Sequence, residues 1–165
     1  MTHTLEPQPL SRETFAPYGD VIDTNSAQHF AINAGFAERY HDLAKVDVTG
    51  ASGRPLISIF RGKPRTLPMA INLMERHPLG SQAFFPLSSH PFLIVVGSGE
   101  DECPPATLRA FISKPGQGVN YARNVWHHPL IALHAECDFL IVDRGGPGDN
   151  LQEIHYPDGL INLSL

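Results

Sequence analysis

Proline and glycine interrupt this chain too often for a long helix to run anywhere in it. Fifteen prolines and fourteen glycines are scattered, with no fixed period, over 165 residues. A proline inside a helix loses a backbone donor and collides with the preceding turn, whereas short strands end naturally at such residues. From residue 46 onward the sequence reads as short β-rich runs, at 46–48, 56–60, 69–77, 83–87, 92–96, 108–113, 119–126 and 139–142. Gly, Pro, Asn or Asp bounds each run, and between them the helical patterns of about 10–15 residues that a βαβ protein requires are missing. The expectation is an all-β fold, a sandwich or barrel, built as one domain over residues 1–165. One short helix is expected after Leu10. Ser11 is a natural N-cap, Leu10 can meet Phe15 as a hydrophobic staple, and Pro17 and Gly19 limit the helix to a turn or two.

Apolar residues make up 42% of the chain and charged residues 18%, a balance that supports a packed core and argues against disorder. The formal net charge is -5 and no basic run occurs, so nucleic acid is not expected as a partner. An anionic small molecule would have to find a local arginine. Cys103 and Cys137 have neither zinc-ribbon spacing nor the density of a secreted disulfide scaffold, which points to reduced thiols in cytosol. The opening MTHTLEPQPL has no basic n-region followed by an apolar stretch, and no later apolar run approaches the roughly 20 residues that span a bilayer. The expected location is the cytoplasm, with no membrane partner.

Chemistry concentrates between residues 74 and 86. On a strand the period of two sends Glu75 and His77 to one face and Arg76 to the other. After a tight turn at Leu79-Gly80, Gln82 and Phe84 can project toward that same face from the next strand. The segment Ala122-Arg123-Asn124-Val125-Trp126-His127 brings a further histidine, with Asn124 able to take the left-handed backbone that glycine usually supplies. A lone strand histidine is more often a hydrogen-bonded structural residue than a ligand; the paired spacing of His77 and His127 is what favours a site. His128 has the opposite parity to His127 and precedes Pro129, so a structural role is expected for it.

Glu75-x-His77 followed by Gln82 resembles the first cupin motif, where His-x-His and a later Glu bind a metal inside a small jelly roll. The segment ending at His127 resembles the second, Pro-x-Gly-x-x-His. Glu75 stands where cupins have histidine and Gln82 where they have glutamate, so the candidate ligand set is Glu75, His77, Gln82 and His127. Two imidazoles, a carboxylate and an amide oxygen suit a first-row divalent ion, and ligand type alone does not choose among Ni²⁺, Mn²⁺, Fe²⁺ and Zn²⁺.

A closer resemblance is carried by AERYHDLA (37–44), ERHPLGSQAF (75–84), TLRAFI (107–112), GQGVNYARNVWHHPL (116–130) and DFLIVDRGG (138–146), in order along most of the chain. These runs resemble the bacterial ureidoglycolate lyase family. That resemblance implies a cupin-like jelly-roll barrel with a few short helices, usually a homodimer. It implies cleavage of ureidoglycolate to glyoxylate and urea in allantoin and purine breakdown, with a divalent metal, nickel in the family.

For such a reaction His77 or His127 has the right unperturbed pKa to act as general acid or base, and Tyr121 is a further proton carrier if both imidazoles bind metal. Arg123 is the first candidate to hold the substrate carboxylate through its planar fork, with Arg109 and Arg144 in reserve. Phe84 and Trp126 are expected to wall the pocket, although core packing is the commoner use of such rings. Two other classes stay open: a non-catalytic cupin that binds a small acid or sugar, and a different enzyme, either another cupin activity or a ureidoglycolate amidohydrolase releasing ammonia.

Overall fold

The structure is a computed structural model and describes residues 2–165. In chain order its strands are β1 (His3–Leu5), β2 (Gln8–Pro9), β3 (Gly19–Ile22), β4 (His29–Ile32), β5 (Ala37–Tyr40), β6 (Arg54–Gly62), β7 (Met69–Ala70), β8 (Leu73–Arg76) and β9 (Gln82–Pro86). They continue as β10 (Phe92–Gly97), β11 (Arg109–Ile112), β12 (Gly118–Tyr121), β13 (Trp126–His127), β14 (Ile131–Ala132), β15 (Cys137–Gly145), β16 (Gln152–His155) and β17 (Ile161–Leu163). The α-helix α1 (Arg12–Phe15) is capped by Ser11, whose Oγ accepts from the Thr14 N–H at 3.2 Å. Leu10 and Phe15 are both buried in one core cluster, as the staple pattern implies.

The fold is all-β and cupin-like. A five-stranded sheet runs β3-β12-β9-β15-β6, and a seven-stranded sheet runs β16-β8-β13-β10-β11-β2 with β14 also on β10. A three-stranded sheet, β1-β17-β7, and the hairpin β4-β5 complete it. The first core lies between the two large sheets, where Val21, Phe84, Val119 and Ile141 meet Phe92, Ile94, Val96 and Phe111. A second core lies on the other side of the seven-stranded sheet, where Met74, Leu93, Val95 and Trp126 meet Met69, Ile161 and Leu163. Phe92–Gly97 is buried at every position because its alternating side chains enter both cores.

Two expected strands are broken, for the same reason. The run 69–77 divides into β7 and β8 because the chain leaves the three-stranded sheet at Ile71, whose N–H donates to Ile161 O at 3.0 Å, and enters the seven-stranded sheet at Leu73. The run 119–126 divides at a turn that carries the chain from the five-stranded sheet to the seven-stranded one, with Asn124 at φ 69. Residues 46–48 form no strand; Asp47 is tied instead to Ser81, whose Oγ accepts from the Asp47 N–H at 2.8 Å. Several further strands, of two to four residues, were too short to show a period in the sequence.

Phe111 is fully buried, edge-on to Phe15 at 5.6 Å between ring centroids. Phe111→Ala is expected to cost about 3–5 kcal/mol of stability, read from the shift in denaturant midpoint; a loss below about 1 kcal/mol would place this ring outside the main core.

Candidate active site

Strand register assembles two facing rows of polar side chains. On the seven-stranded sheet β13 pairs with β8 so that His127 stands opposite Glu75. His77, two residues beyond Glu75, keeps the same face. On the five-stranded sheet Gln82 stands opposite Tyr121, and the ladder that sets Val142 opposite Ala83 brings Asp143 abreast of Gln82. The rows meet: the Tyr121 and His127 rings stack at 4.1 Å and 11°, and His77 Nε2 lies 3.1 Å from Gln82 Oε1. Glu75 Oε1 is 3.5 Å from His127 Nε2 and 3.9 Å from His77 Nε2. Ligating atoms of Glu75, His77 and His127 all fall within 4.8 Å of one another, a group able to hold a metal ion.

Hydrogen bonds fix which nitrogen of each ring faces the cluster. His77 Nδ1 donates to Asn150 O at 2.8 Å and His127 Nδ1 donates to Val125 O at 2.9 Å, since a carbonyl can only accept. Both Nε2 atoms therefore present lone pairs to the cluster while the rings are neutral. His127 Nε2 is sealed from solvent with no hydrogen-bond partner among the described residues. Gln82 Nε2 donates to Asp143 Oδ2 at 3.2 Å, which turns the amide oxygen toward His77. Two acceptors so close require a proton or a cation between them. Burial pushes the Glu75 carboxyl up, but His127, whose Nε2 lies 3.5 Å away, and then His77 and His128 outweigh it as positive neighbours, so Glu75 ends below the ordinary range. Burial first, then the Glu75 charge, pushes the Tyr121 phenol well above its usual value, and that hydroxyl stays protonated.

A family model described as ureidoglycolate lyase matches residues 2–162. A protein named ureidoglycolate lyase from Burkholderia mallei (strain NCTC 10229) is 54% identical over 157 residues, covering 95% of this chain and 92% of that protein. The chain belongs to the ureidoglycolate lyase family. Ureidoglycolate lyase 1 of Rhizobium meliloti (strain 1021) is 49% identical over 161 residues, 98% of this chain and 94% of its own. A solved dTDP sugar isomerase from Desulfovibrio desulfuricans G20 gives a TM-score of 0.44 at 18% identity, over 79% of this chain and 82% of that one.

Within this ureidoglycolate lyase family member, the other residues singled out from the sequence fall in different places. Phe84 is buried beside the site, edge-on to Tyr121 at 5.8 Å. Trp126 points away from His127 into the second core, under the Arg76 guanidinium at 4.4 Å, because neighbours on a strand face opposite ways. Arg123 does not share a strand with His127; it sits in the 122–125 turn, exposed, 3.8 Å from Asp47 Oδ2. Arg144 is held by the carbonyls of Gly50, Ala51 and Pro147, and Arg109 by those of Ala106 and Leu108. His128 donates from Nδ1 to Pro129 O at 2.7 Å, and burial lowers its pKa. Asp143 and Asn150 were not anticipated. Asp143 reaches Gln82 across 61 residues of chain, a relation that only the β15–β9 register creates.

The cluster fits a divalent ion: an orphaned imidazole lone pair, a second lone pair opposed to an amide oxygen, and a carboxylate between them. Wild-type protein is expected to bind divalent metal stoichiometrically in a Co²⁺ or Ni²⁺ titration. His77→Ala and His127→Ala should each weaken it by more than about 100-fold, beyond what loss of an outer-shell partner costs, with far-ultraviolet circular dichroism unchanged. Unaltered affinity in either variant would remove that histidine from the site.

Proposed function

We propose that this chain is a ureidoglycolate lyase of one cupin-like domain, cleaving (S)-ureidoglycolate to glyoxylate and urea in allantoin and purine breakdown. The observation that carries the reading is the Glu75–His77–His127 cluster in the core of a ureidoglycolate lyase family member. Glu75, His77, Gln82 and His127 are proposed to hold a divalent ion, with Ni²⁺ the assignment that the family resemblance favours. When bound, the ion supplies a Lewis acid that stabilises negative charge developing on a substrate oxygen. The chain's own residues move the protons. The hydroxyl proton leaves, its electron pair forms the glyoxylate carbonyl, the C–N bond breaks, and the ureido nitrogen takes up a proton to become urea. Where an imidazole is free of the ion, His77 or His127 is positioned to accept the hydroxyl proton at Nε2, because Nδ1 of each ring is committed to a backbone carbonyl. The protonated Tyr121 hydroxyl is suited to donate toward the leaving nitrogen. Phe84 is kept as a proposed pocket wall beside the site, while Trp126 backs the strand that carries His127 from the second core.

Arg123 is the proposed carboxylate ligand. Among the described residues its guanidinium pairs only with Asp47, whereas Arg109 and Arg144 are committed to carbonyls. A homodimer working in the cytoplasm completes the proposal. Support for pairing comes from edge strand β6, where Ile57 is 77% exposed and Ile59 52%. No helix among the described residues is long and apolar enough to cross a membrane.

Incubation with racemic ureidoglycolate should release equal urea and glyoxylate without ammonia. Ammonia instead would identify an amidohydrolase, and no turnover a binding protein. A chelator is expected to abolish urea release while leaving the circular dichroism of the β-fold intact, since the core forms without the ion. Full activity in metal-free protein would remove the ligand assignment and leave the lyase assignment standing. Light scattering at micromolar concentration should report a dimer; a monomer would contradict that part of the proposal.

A further inference from the structure

We propose that Asp143 is a positioning residue that locks the Gln82 amide with its oxygen toward Glu75, His77 and His127, so that Gln82 serves as the fourth donor to the cation. The inference rests on the metal reading above and adds a residue that none of the cupin spacing contains.

Asp143 has little structural reason to be where it is. One carboxylate oxygen accepts from Gln82 Nε2 at 3.2 Å, and the other is sealed from solvent with no hydrogen-bond partner among the described residues. A half-buried carboxylate with one oxygen sealed away from water, for one hydrogen bond to a neutral amide, weakens a fold more than it strengthens it. Fold stability therefore does not explain this side chain. Its chemistry explains its effect on Gln82. A carboxylate only accepts, so the amide that meets it must present its NH₂, and the opposite end of that amide must be the oxygen. That oxygen is 3.1 Å from His77 Nε2, whose partner nitrogen is already spent as a donor to Asn150 O. The reverse amide orientation would place oxygen against carboxylate and NH₂ against the lone pair meant for a cation. Asp143 forbids it. The same register that sets Asp143 abreast of Gln82 leaves the apolar Leu56 as its other neighbour in the row.

The test is the Co²⁺ affinity of the whole protein, followed by the ligand-field absorption of the bound ion, which reads the donor set independently of turnover. Asp143→Ala frees the amide to rotate and is expected to weaken Co²⁺ binding about 10- to 100-fold, the usual effect of losing an outer-shell partner. Asp143→Asn keeps a carbonyl acceptor and should lie between Asp143→Ala and wild type. The decisive comparison adds Gln82→Glu. A carboxylate offers oxygen at both ends and needs no orienting, so Gln82→Glu should restore Co²⁺ binding in the Asp143→Ala background. In the wild-type background, where it sets two carboxylates side by side, the same change should weaken binding. If Asp143→Ala fails to fold by circular dichroism, the Asp143→Asn background carries the same comparison. Affinity unchanged in Asp143→Ala, or not restored by Gln82→Glu, overturns the positioning role while the metal reading stands. Wild-type protein that binds no Co²⁺ overturns the metal reading and this assignment with it.

Discussion

The site depends on two strand registers and on the turn that joins them. β12 ends at Tyr121 in the five-stranded sheet, and β13 begins at Trp126 in the seven-stranded sheet. Asn124, at φ 69, makes the reversal compact enough for Tyr121 and His127 to leave facing sheets and stack at 4.1 Å. A slip of one residue in the β13–β8 pairing would turn over one of the two strands, putting the Arg76 guanidinium in place of Glu75 or the Trp126 indole in place of His127. Cooperative pairing across both sheets is what excludes that slip, because the apolar residues of β10 on either side would have to exchange cores with it.

Assembling these groups inside the molecule works against stability. His127 Nε2 and Asp143 Oδ1 are both sealed without hydrogen-bond partners among the described residues, a burden of about 1–3 kcal/mol each for ordinary buried polar atoms. The surrounding hydrogen bonds are arranged so that the unmet valences converge instead of scattering. Asn150 O and Val125 O take the outer N–H of each imidazole, Asp143 takes the NH₂ of Gln82, and what remains points inward as lone pairs. Convergent lone pairs are a poor core and a good cation site. The two apolar cores on either side of the seven-stranded sheet supply the stability that the cluster withholds.

Legibility in the sequence followed the range of each interaction. The all-β class, the Ser11 cap and the common face of Glu75 and His77 are local, set by proline and glycine spacing and by the strand period, and they were readable. His127 was readable through motif spacing and Asn124. Arg123 could share a face with His127 only along an unbroken strand, and residues 122–125 are a turn between sheets. Asp143 was invisible for a different reason. Nothing near it in DFLIVDRGG signals a site, and its role arises from the pairing of β15 with β9.

The inner face of β8 and β13 is matched by an outer face that keeps the site's charges from neutralising one another. Arg76 follows Glu75 directly in sequence, and a guanidinium on the same side would pair with that carboxylate and close the cluster to any cation. The pleat sends Arg76 into the second core instead. There its needs are met by Gln152 Oε1 at 2.7 Å, by Glu100 O and by the Trp126 ring at 4.4 Å. Trp126 is thereby tied to the site through a positive charge held on the far side of the sheet, and not as a surface that touches substrate. Glu75 is left with the two imidazoles as its nearest charge partners, and these outweigh the burial that would otherwise favour its protonation. An ionised carboxylate beside two imidazole nitrogens is what a divalent cation requires, and the alternation of one short strand provides it.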